Sequence, residues 1–254
     1  MISIVIPAYN YAHYLPDAIH SVLQQGIDDI EVIVCDDCST DNTADVVAAI
    51  AAQDGRVRYV LNEHNLGATP NINQGMARAS GEYVMLLGAD DFIEPGALGK
   101  LLATLQAHPE CGYAFGRYTL QDGHGQRHPL QHPGWLAHDY AGSRDEFPAL
   151  LRYDCYVNIG ATLFRRSILD GAPFFDMSLS AFPEEKFFRA TDWDKVLTLA
   201  SAGVRSAFLN TNISVFRVHA SQASSGDRYA RSGLAFFEHS LLLKRYLTPA
   251  NLPR

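Results

Sequence analysis

The chain has 254 residues, of which 47% are hydrophobic and 19% charged, a balance that excludes a wholly disordered protein. Its 20 basic and 28 acidic residues give a formal net charge of −8. An acidic surface repels phosphate backbones and anionic lipid, which argues against a general nucleic-acid binder. A ligand that carries phosphate would therefore need its charge to be compensated locally, for example by a divalent cation.

The sequence also favours a cytoplasmic location. No apolar run reaches the ~18 residues that a membrane-spanning helix needs. A strand pattern begins at Ile2 with no basic leader segment before it. The 4 cysteines fit a reducing compartment, because a chain of this length does not need a disulfide framework.

Short apolar runs alternate with helical patterns through the first 120 residues. The predicted strands are residues 2–6, 31–35, 56–61 and 82–87, and the predicted helices are residues 15–25, 41–53, 71–79 and 95–107. Pro7 is expected to stop the first strand. This alternation predicts an α/β fold with a mainly parallel, Rossmann-like sheet flanked by helices.

The second half of the chain has fewer motifs. Further strands are predicted at residues 112–120, 158–165 and 213–218, and further helices at residues 192–202 and 228–247. Residues 121–142 are rich in Gly, Pro, His and Gln, a composition typical of a long surface excursion.

Polar residues follow three of the predicted strands, and ligands bind beyond the carboxyl ends of parallel strands. Asp36 and Asp37 follow the second strand, and Asp90 and Asp91 follow the fourth. A carboxylate after the second strand could accept a hydrogen bond from the imide N–H of a uracil or thymine. Adjacent carboxylates repel unless a cation or hydrogen bonds stabilise them, and Mg²⁺ and Mn²⁺ prefer such oxygen ligands. The alternative for Asp90 and Asp91 is a solvated turn before the next helix.

Taken together, these residues resemble the inverting family-2 glycosyltransferases of the GT-A fold. The resemblance rests on four segments, which are Ile4 to Asn10, Val34 to Thr43, Ala79 to Val84 running into Asp90-Asp91, and Thr191 to Asp194. Asn65-Leu66-Gly67 also matches the family's loop after its third strand. The match covers residues 1–107 well and residues 155–220 more loosely. It implies one GT-A domain over residues 1–254, with a nucleotide-binding half (1–107), an acceptor-binding half (108–220) and a C-terminal helical segment (221–254).

The resemblance also implies a set of site residues. Those that would bind the nucleotide-sugar are Pro7, Ala8, Tyr9, Asp37, Asn65 and Asp90, and those that would hold Mn²⁺ or Mg²⁺ are Asp90, Asp91 and His219. The chain departs from the family pattern at three positions. Gly88 stands where many members have the first Asp of an Asp-x-Asp motif, Cys38 where Gly is usual, and Pro70 where Arg is common. The alternative for His219 is an ordinary loop histidine.

Asp192 matches the family's catalytic base, with Thr191 in place of the usual Glu. Thr191 and Asp194 form a Thr-x-x-Asp pattern, which predicts a capping box at the start of a helix. Asp192 would then lie in the first turn, where the positive end of the helix dipole favours its ionised form. An anionic base can accept the proton of an acceptor hydroxyl. The alternative is a surface aspartate that only complements the helix dipole.

The function expected from the sequence is metal-dependent, inverting transfer of a sugar from a UDP- or dTDP-linked donor to a glycan or lipid-linked hydroxyl, in surface polysaccharide or glycolipid synthesis. Two alternatives are a catalytically inactive nucleotide-sugar-binding module and a sugar nucleotidyltransferase. A dinucleotide dehydrogenase is disfavoured, because no G-x-G-x-x-G follows the first strand. The apolar C-terminal segment suggests a homodimer contact or peripheral docking at the inner face of the membrane.

Overall fold

A computed structural model of the chain describes residues 1–129, 136–142, 145–153, 155–179, 190–219 and 234–248. The described strands are β1 (Ile2–Ala8), β2 (Ile30–Asp36), β3 (Val57–Leu61), β4 (Tyr83–Leu86), β5 (Phe92–Ile93), β6 (Cys111–Gln121), β7 (Arg127–Pro129), β8 (Tyr140–Ala141), β9 (Thr162–Arg165) and β10 (Arg205–Arg217). The described helices are α1 (Leu15–Leu23), α2 (Thr43–Ala51), α3 (Ala68–Arg78), α4 (Ala97–Ala107), α5 (Glu146–Tyr153), α6 (Thr191–Ser201) and α7 (Leu234–Tyr246). No helix within these ranges has the length and apolarity needed to cross a membrane.

The ten described strands belong to one mixed sheet, in the order β3-β2-β1-β4-β9-β6-β10-β5, with β7 paired to β6 and β8 to β10. Strands β1 to β4 pair in parallel, as do β6 and β10. Strand β9 lies antiparallel between β4 and β6 and so joins the two halves of the sheet. The predicted α/β class with a mainly parallel sheet flanked by helices is confirmed.

Both faces of the central strands are buried, as expected for parallel strands that are covered by helices on two sides. Ile4 and Val32 face a core shared with α1, α2 and α4, whereas Val5 and Ile33 face a second core shared with α5 and α6. All four of these side chains have 0% of their surface exposed. This double burial explains why the strands appear in the sequence as continuous apolar runs.

The expectation that Pro7 stops the first strand is wrong. Strand β1 continues to Ala8, and Pro7 is paired with Cys35 of β2. Every second residue of a strand directs its backbone N–H and C=O groups toward the same neighbouring strand. The carbonyl of Val5 accepts a hydrogen bond from the backbone N–H of Leu87, so the backbone of Pro7 faces the β4 side as well. Because β4 ends at Leu86, the missing N–H of Pro7 points beyond the end of that strand and costs no sheet hydrogen bond.

The larger differences lie in the second half of the sheet. Strand β10 begins at residue 205 instead of 213, because shifts in its register around Leu209 and Asn212 interrupt the apolar period. Residues 159–161 form a 3₁₀ turn before β9, so the predicted strand at 158–165 is shortened. The surface excursion includes β7, which folds back on β6. Part of the predicted helix at 228–247 precedes α7 and lies outside the described residues.

The close packing of α3 on the sheet can be tested at Gly75. A methyl group on Gly75 would lie 2.5 Å from Val5 Cγ1 and 2.7 Å from Cys35 Sγ. Gly75→Ala should therefore lower the free energy of unfolding by about 1–3 kcal/mol, measured by urea denaturation. The matched control is Gly99→Ala in α4, where a methyl group meets no atom within 4 Å. That control should gain up to about 1 kcal/mol from helix propensity. Equal effects of the two substitutions would contradict the close packing.

Candidate functional site

The loops that follow β1 and β2 are tied together at the carboxyl edge of the sheet. Asn10 adopts a left-handed conformation with φ of 59°, which asparagine tolerates better than most residues. Its Oδ1 accepts a hydrogen bond from the backbone of Thr40 at 2.8 Å, and its own N–H donates to Ser39 Oγ at 2.9 Å. The preceding Tyr9 remains exposed at this edge.

Asp37 is buried and anchors the loop that follows β3. Its Oδ1 accepts from the backbone of Leu66 at 2.8 Å and from Asn62 Nδ2 at 3.0 Å, and its Oδ2 accepts from the backbone of Gly67 at 2.8 Å. The side chain of Asn65 donates to the Asp37 carbonyl at 3.2 Å. Asp37 and Asn65, which were predicted as separate nucleotide contacts, therefore also hold each other's loops in place.

Asp90 and Asp91 lie in a tight turn directly after β4. A methyl group on Gly88 would lie 2.7 Å from Asp91 Oδ2 and 2.9 Å from Asp90 Oδ1. Both carboxylates therefore fold back over the bare backbone of Gly88. An aspartate at position 88 would require the two carboxylates to move.

The electrostatics of this pair are unfavourable. Burial raises the pKa of the Asp91 carboxyl well above its ordinary value, and the neighbouring charge of Asp90 adds to this effect. The backbone N–H of Arg217 donates to Asp91 Oδ1 at 3.0 Å and offsets part of the cost. The Arg217 guanidinium instead pairs with Asp17, at 2.6 Å. A cation beside the two carboxylates would relieve their repulsion.

His219 joins this pair from the end of β10. Its Nε2 lies 3.0 Å from Asp90 Oδ2, and its side chain is largely buried. The ring centroid lies 5.0 Å from that of Tyr14 and 5.8 Å from that of Tyr11. Burial and the charge of Asp90 raise the pKa of the Tyr11 hydroxyl above its ordinary value. The predicted ligands Asp90 and His219 are thus in direct contact.

Sequence reasoning missed the two tyrosines. Tyr11 and Tyr14 follow the loop after β1, so their position beyond a strand end was the available signal. Among the described residues, no group of three or more His, Cys, Asp or Glu side chains is arranged to hold a metal ion. Any metal bound at Asp90 and His219 would therefore take further ligands from a substrate or from water.

Asp192 lies in the first turn of α6, with a half-buried side chain. Tyr118 of β6 is close enough that the negative charge of Asp192 raises the pKa of the Tyr118 hydroxyl, although burial contributes more. Tyr118 is paired with Ser214 of β10, and β10 pairs with β5 through Val215 on its other edge.

The predicted capping box at α6 is wrong. Ala190 is the N-cap residue, and no side chain of the helix itself caps it. The Asp194 carboxylate accepts instead from Tyr246 Oη at 2.7 Å, and Glu238 of α7 accepts from the Ala190 N–H at 2.9 Å. The expected dipole effect is also outweighed, since burial raises the pKa of Asp192 to about 6.

This combination of a mainly parallel sheet and an acidic carboxyl edge defines a GT-A transferase fold. A crystal structure of Staphylococcus aureus TarS 1–349 in complex with UDP-GlcNAc superposes with a TM-score of 0.67 at 19% identity, covering 93% of this chain and 66% of that one. The mannosyltransferase PcManGT from Pyrobaculum calidifontis, in complex with GDP-Man and Mn²⁺, superposes with a TM-score of 0.65 at 19% identity, covering 96% and 64%.

The family follows from sequence. The family model for glycosyl transferase family 2 matches residues 3–171, so the chain belongs to this family, as the sequence motifs predicted. A putative teichuronic acid biosynthesis glycosyltransferase, TuaG from Bacillus subtilis (strain 168), is 38% identical over 125 residues, which are 48% of this chain and 49% of TuaG. The chain thus matches about half the length of this curated relative.

The contacts of Asp37 predict a structural cost when its charge is removed. Asp37→Asn replaces one carboxylate oxygen by an amide group, which cannot accept from the backbone of Leu66 or Gly67. The free energy of unfolding should fall by about 1–3 kcal/mol, measured by urea denaturation. Asp28→Asn, at an exposed position, is the control and should stay within about 0.5 kcal/mol. If both variants match the wild type, Asp37 does not anchor the loop.

Proposed function

We propose that the chain is a metal-dependent, inverting glycosyltransferase that moves a sugar from a nucleoside-diphosphate donor to a hydroxyl acceptor in surface polysaccharide or glycolipid synthesis. One observation carries this proposal. The Asp90–His219 contact and the buried Asp91 lie together beyond β4, beside the aromatic residues that follow β1. Membership of the family supports glycosyl transfer, and the resemblance of TuaG supports a polysaccharide product.

The donor would bind across the ends of β1, β2 and β4. Pro7, Ala8 and Tyr9 supply the surface at the end of β1, and the Asp37 carboxylate retains acceptor capacity on Oδ2 for the imide N–H of a pyrimidine. These contacts favour a UDP- or dTDP-sugar. The UDP-GlcNAc in the TarS complex is consistent with a uridine donor.

Asp90, Asp91 and His219 would hold the divalent cation. Carboxylate oxygens suit both Mg²⁺ and Mn²⁺, and an imidazole ligand favours Mn²⁺, the ion in the PcManGT complex. When bound, the cation neutralises charge on the diphosphate that leaves the sugar. The carboxylate oxygens and the imidazole nitrogen fit such an ion in their chemistry, and further ligands would come from the substrate or from water.

Asp192 would act as the general base. It accepts the proton of the acceptor hydroxyl while that oxygen attacks the anomeric carbon from the face opposite the diphosphate. The new glycosidic bond forms as the bond to the diphosphate breaks, so the anomeric configuration inverts, as in inverting glycosidases that use water. A pKa of about 6 leaves Asp192 mostly ionised at neutral pH and close to the optimum for proton transfer.

Helix α7 is the proposed site of contact with a membrane or with a second copy of the chain. Phe236 is 81% exposed, and Lys244 and Arg245 follow in its last turn. An exposed aromatic ring and basic residues on the same helix support peripheral docking at the inner face of a membrane, where a lipid-linked acceptor would be reached. A homodimer contact through the same helix is the alternative, and binding to phospholipid vesicles separates the two.

The role of Asp192 leads to a specific prediction. Asp192→Asn should abolish sugar transfer and leave the affinity for UDP with Mn²⁺ unchanged, measured by a transfer assay and by calorimetry. Because the base must be ionised and its pKa is about 6, kcat/KM of the wild type should fall about tenfold per pH unit below that value. Asp45→Asn, on the exposed face of α2, is the control. Full transfer by the Asp192 variant removes this residue from the mechanism.

The donor and the metal can be tested together. A thermal-shift panel of UDP-, dTDP- and GDP-sugars with and without Mn²⁺ should give the largest stabilisation for UDP or dTDP in the presence of the ion, because stabilisation grows with ligand concentration over Kd. Asp90→Ala should remove the part of the shift that depends on Mn²⁺. A larger shift with GDP-sugars would contradict the proposed donor. Binding without turnover would identify an inactive nucleotide-sugar-binding module instead.

A further inference from the structure

We propose that Glu238 of α7 is a positioning residue for Asp192, which it holds in place through the N-terminus of α6. This inference rests on the proposed role of Asp192 as the base. Glu238 lies 48 positions along the chain from the N-cap residue that it contacts and belongs to a segment that sequence analysis assigned only to helix. Its carboxylate is 3% exposed, which makes it one of the buried acidic groups that the reaction itself does not use.

The position of Glu238 accounts for its burial. Its Oε2 accepts from the backbone N–H of Ala190 at 2.9 Å, and Ala190 is the N-cap residue of α6. The first N–H groups of a helix have no partner within the helix. A carboxylate at this end is stabilised by the helix dipole as well as by the hydrogen bond. Glu238 thus supplies from α7 the cap that Thr191 and Asp194 do not supply within α6.

The other end of α7 holds the following turns of α6. Tyr246 Oη lies 2.7 Å from Asp194 Oδ1 and 2.7 Å from Thr198 Oγ1. Arg245 pairs with Asp176 at 2.8 Å and lies 3.6 Å from Asp194. Contacts from α7 therefore extend along α6 from its N-cap through its second turn, and they fix the rotation of the helix about its own axis.

Trp193, the residue after Asp192, is held from two sides. Its Nε1 donates to the Leu150 carbonyl of α5 at 3.1 Å, and its ring meets the His239 ring edge-on with centroids 4.9 Å apart. His239 is the neighbour of Glu238 on α7. Within the described part of the chain, no side chain hydrogen-bonds to the Asp192 carboxylate, and burial alone accounts for its raised pKa. The placement of Asp192 thus depends on the backbone that Glu238 and Trp193 hold.

The consequence is kinetic. A base that is displaced by about 1 Å loses on the order of a hundredfold in rate, although substrate binding elsewhere is untouched. The donor residues Asp37 and Asp90 lie on other elements, so a change at Glu238 should lower kcat without altering the affinity for the nucleotide.

The test compares two substitutions at one position. Glu238→Gln keeps an oxygen that can accept from Ala190 and should retain at least about half of the wild-type kcat. Glu238→Leu keeps the bulk without the acceptor and should lower kcat about tenfold or more, with donor KM and UDP affinity in Mn²⁺ within about twofold. Ser240→Ala, at an exposed position of the same helix, is the control and should match the wild type. Kinetics are measured well below the melting temperature of every variant.

A wild-type kcat for folded Glu238→Leu, with only a lower melting temperature, would overturn the inference and leave Glu238 a purely structural residue. A parallel loss of kcat and UDP affinity would do the same. Tyr246→Phe provides a second test if Glu238→Leu does not fold, because it removes only the hydroxyl bonded to Asp194 and Thr198. Its kcat should fall at unchanged donor KM. Full activity of Asp192→Asn refutes the base itself, whereas an inactive Asp192→Asn with a normal Glu238→Leu refutes only the positioning.

Discussion

Two carboxylates that are held against each other over the backbone of Gly88 place the strongest constraint on this structure. Asp90 and Asp91 follow one of the most buried strands of the sheet, and the turn in which they lie brings both carboxylates to within contact distance of one glycine. The backbone of Arg217 and the ring of His219 approach them from β10. Because these hydrogen bonds offset only part of the repulsion, the turn is stabilised when a cation binds beside the two carboxylates or when one of them is protonated.

The acidic side chains at the carboxyl edge of the sheet differ in how their charge is compensated. Asp37 accepts three N–H groups and orders two loops, so its charge is compensated inside the protein. Asp90 Oδ2 lies 3.0 Å from Nε2 of His219, and an imidazole can also bind a metal. An acidic chain with a net charge of −8 can bind a diphosphate only where such local compensation exists. The carboxylates of Asp37 and Asp90 therefore differ in the partners that compensate their charge.

Much of this arrangement could be predicted from sequence, because it depends on local patterns. The apolar runs at Ile4 and Val32 define strands, and the polar residues after them fall at one edge of any parallel sheet. The order of β9, β6 and β10 could not be predicted, because those strands pair across long stretches of chain. Nor could the cap of α6, because Thr191 and Asp194 have the spacing of a capping box and Glu238 competes from 48 positions away. Only tertiary packing decides between a local and a distant acceptor.

The raised pKa of Asp192 bears directly on its proposed role as the general base. A helix N-terminus on its own lowers the pKa of an aspartate in its first turn, whereas burial raises the pKa of Asp192 to about 6. A base with a pKa of about 4 would be fully ionised at neutral pH but a poor proton acceptor in a transition state. The burial of Asp192 therefore favours the basicity that the proposed proton transfer requires.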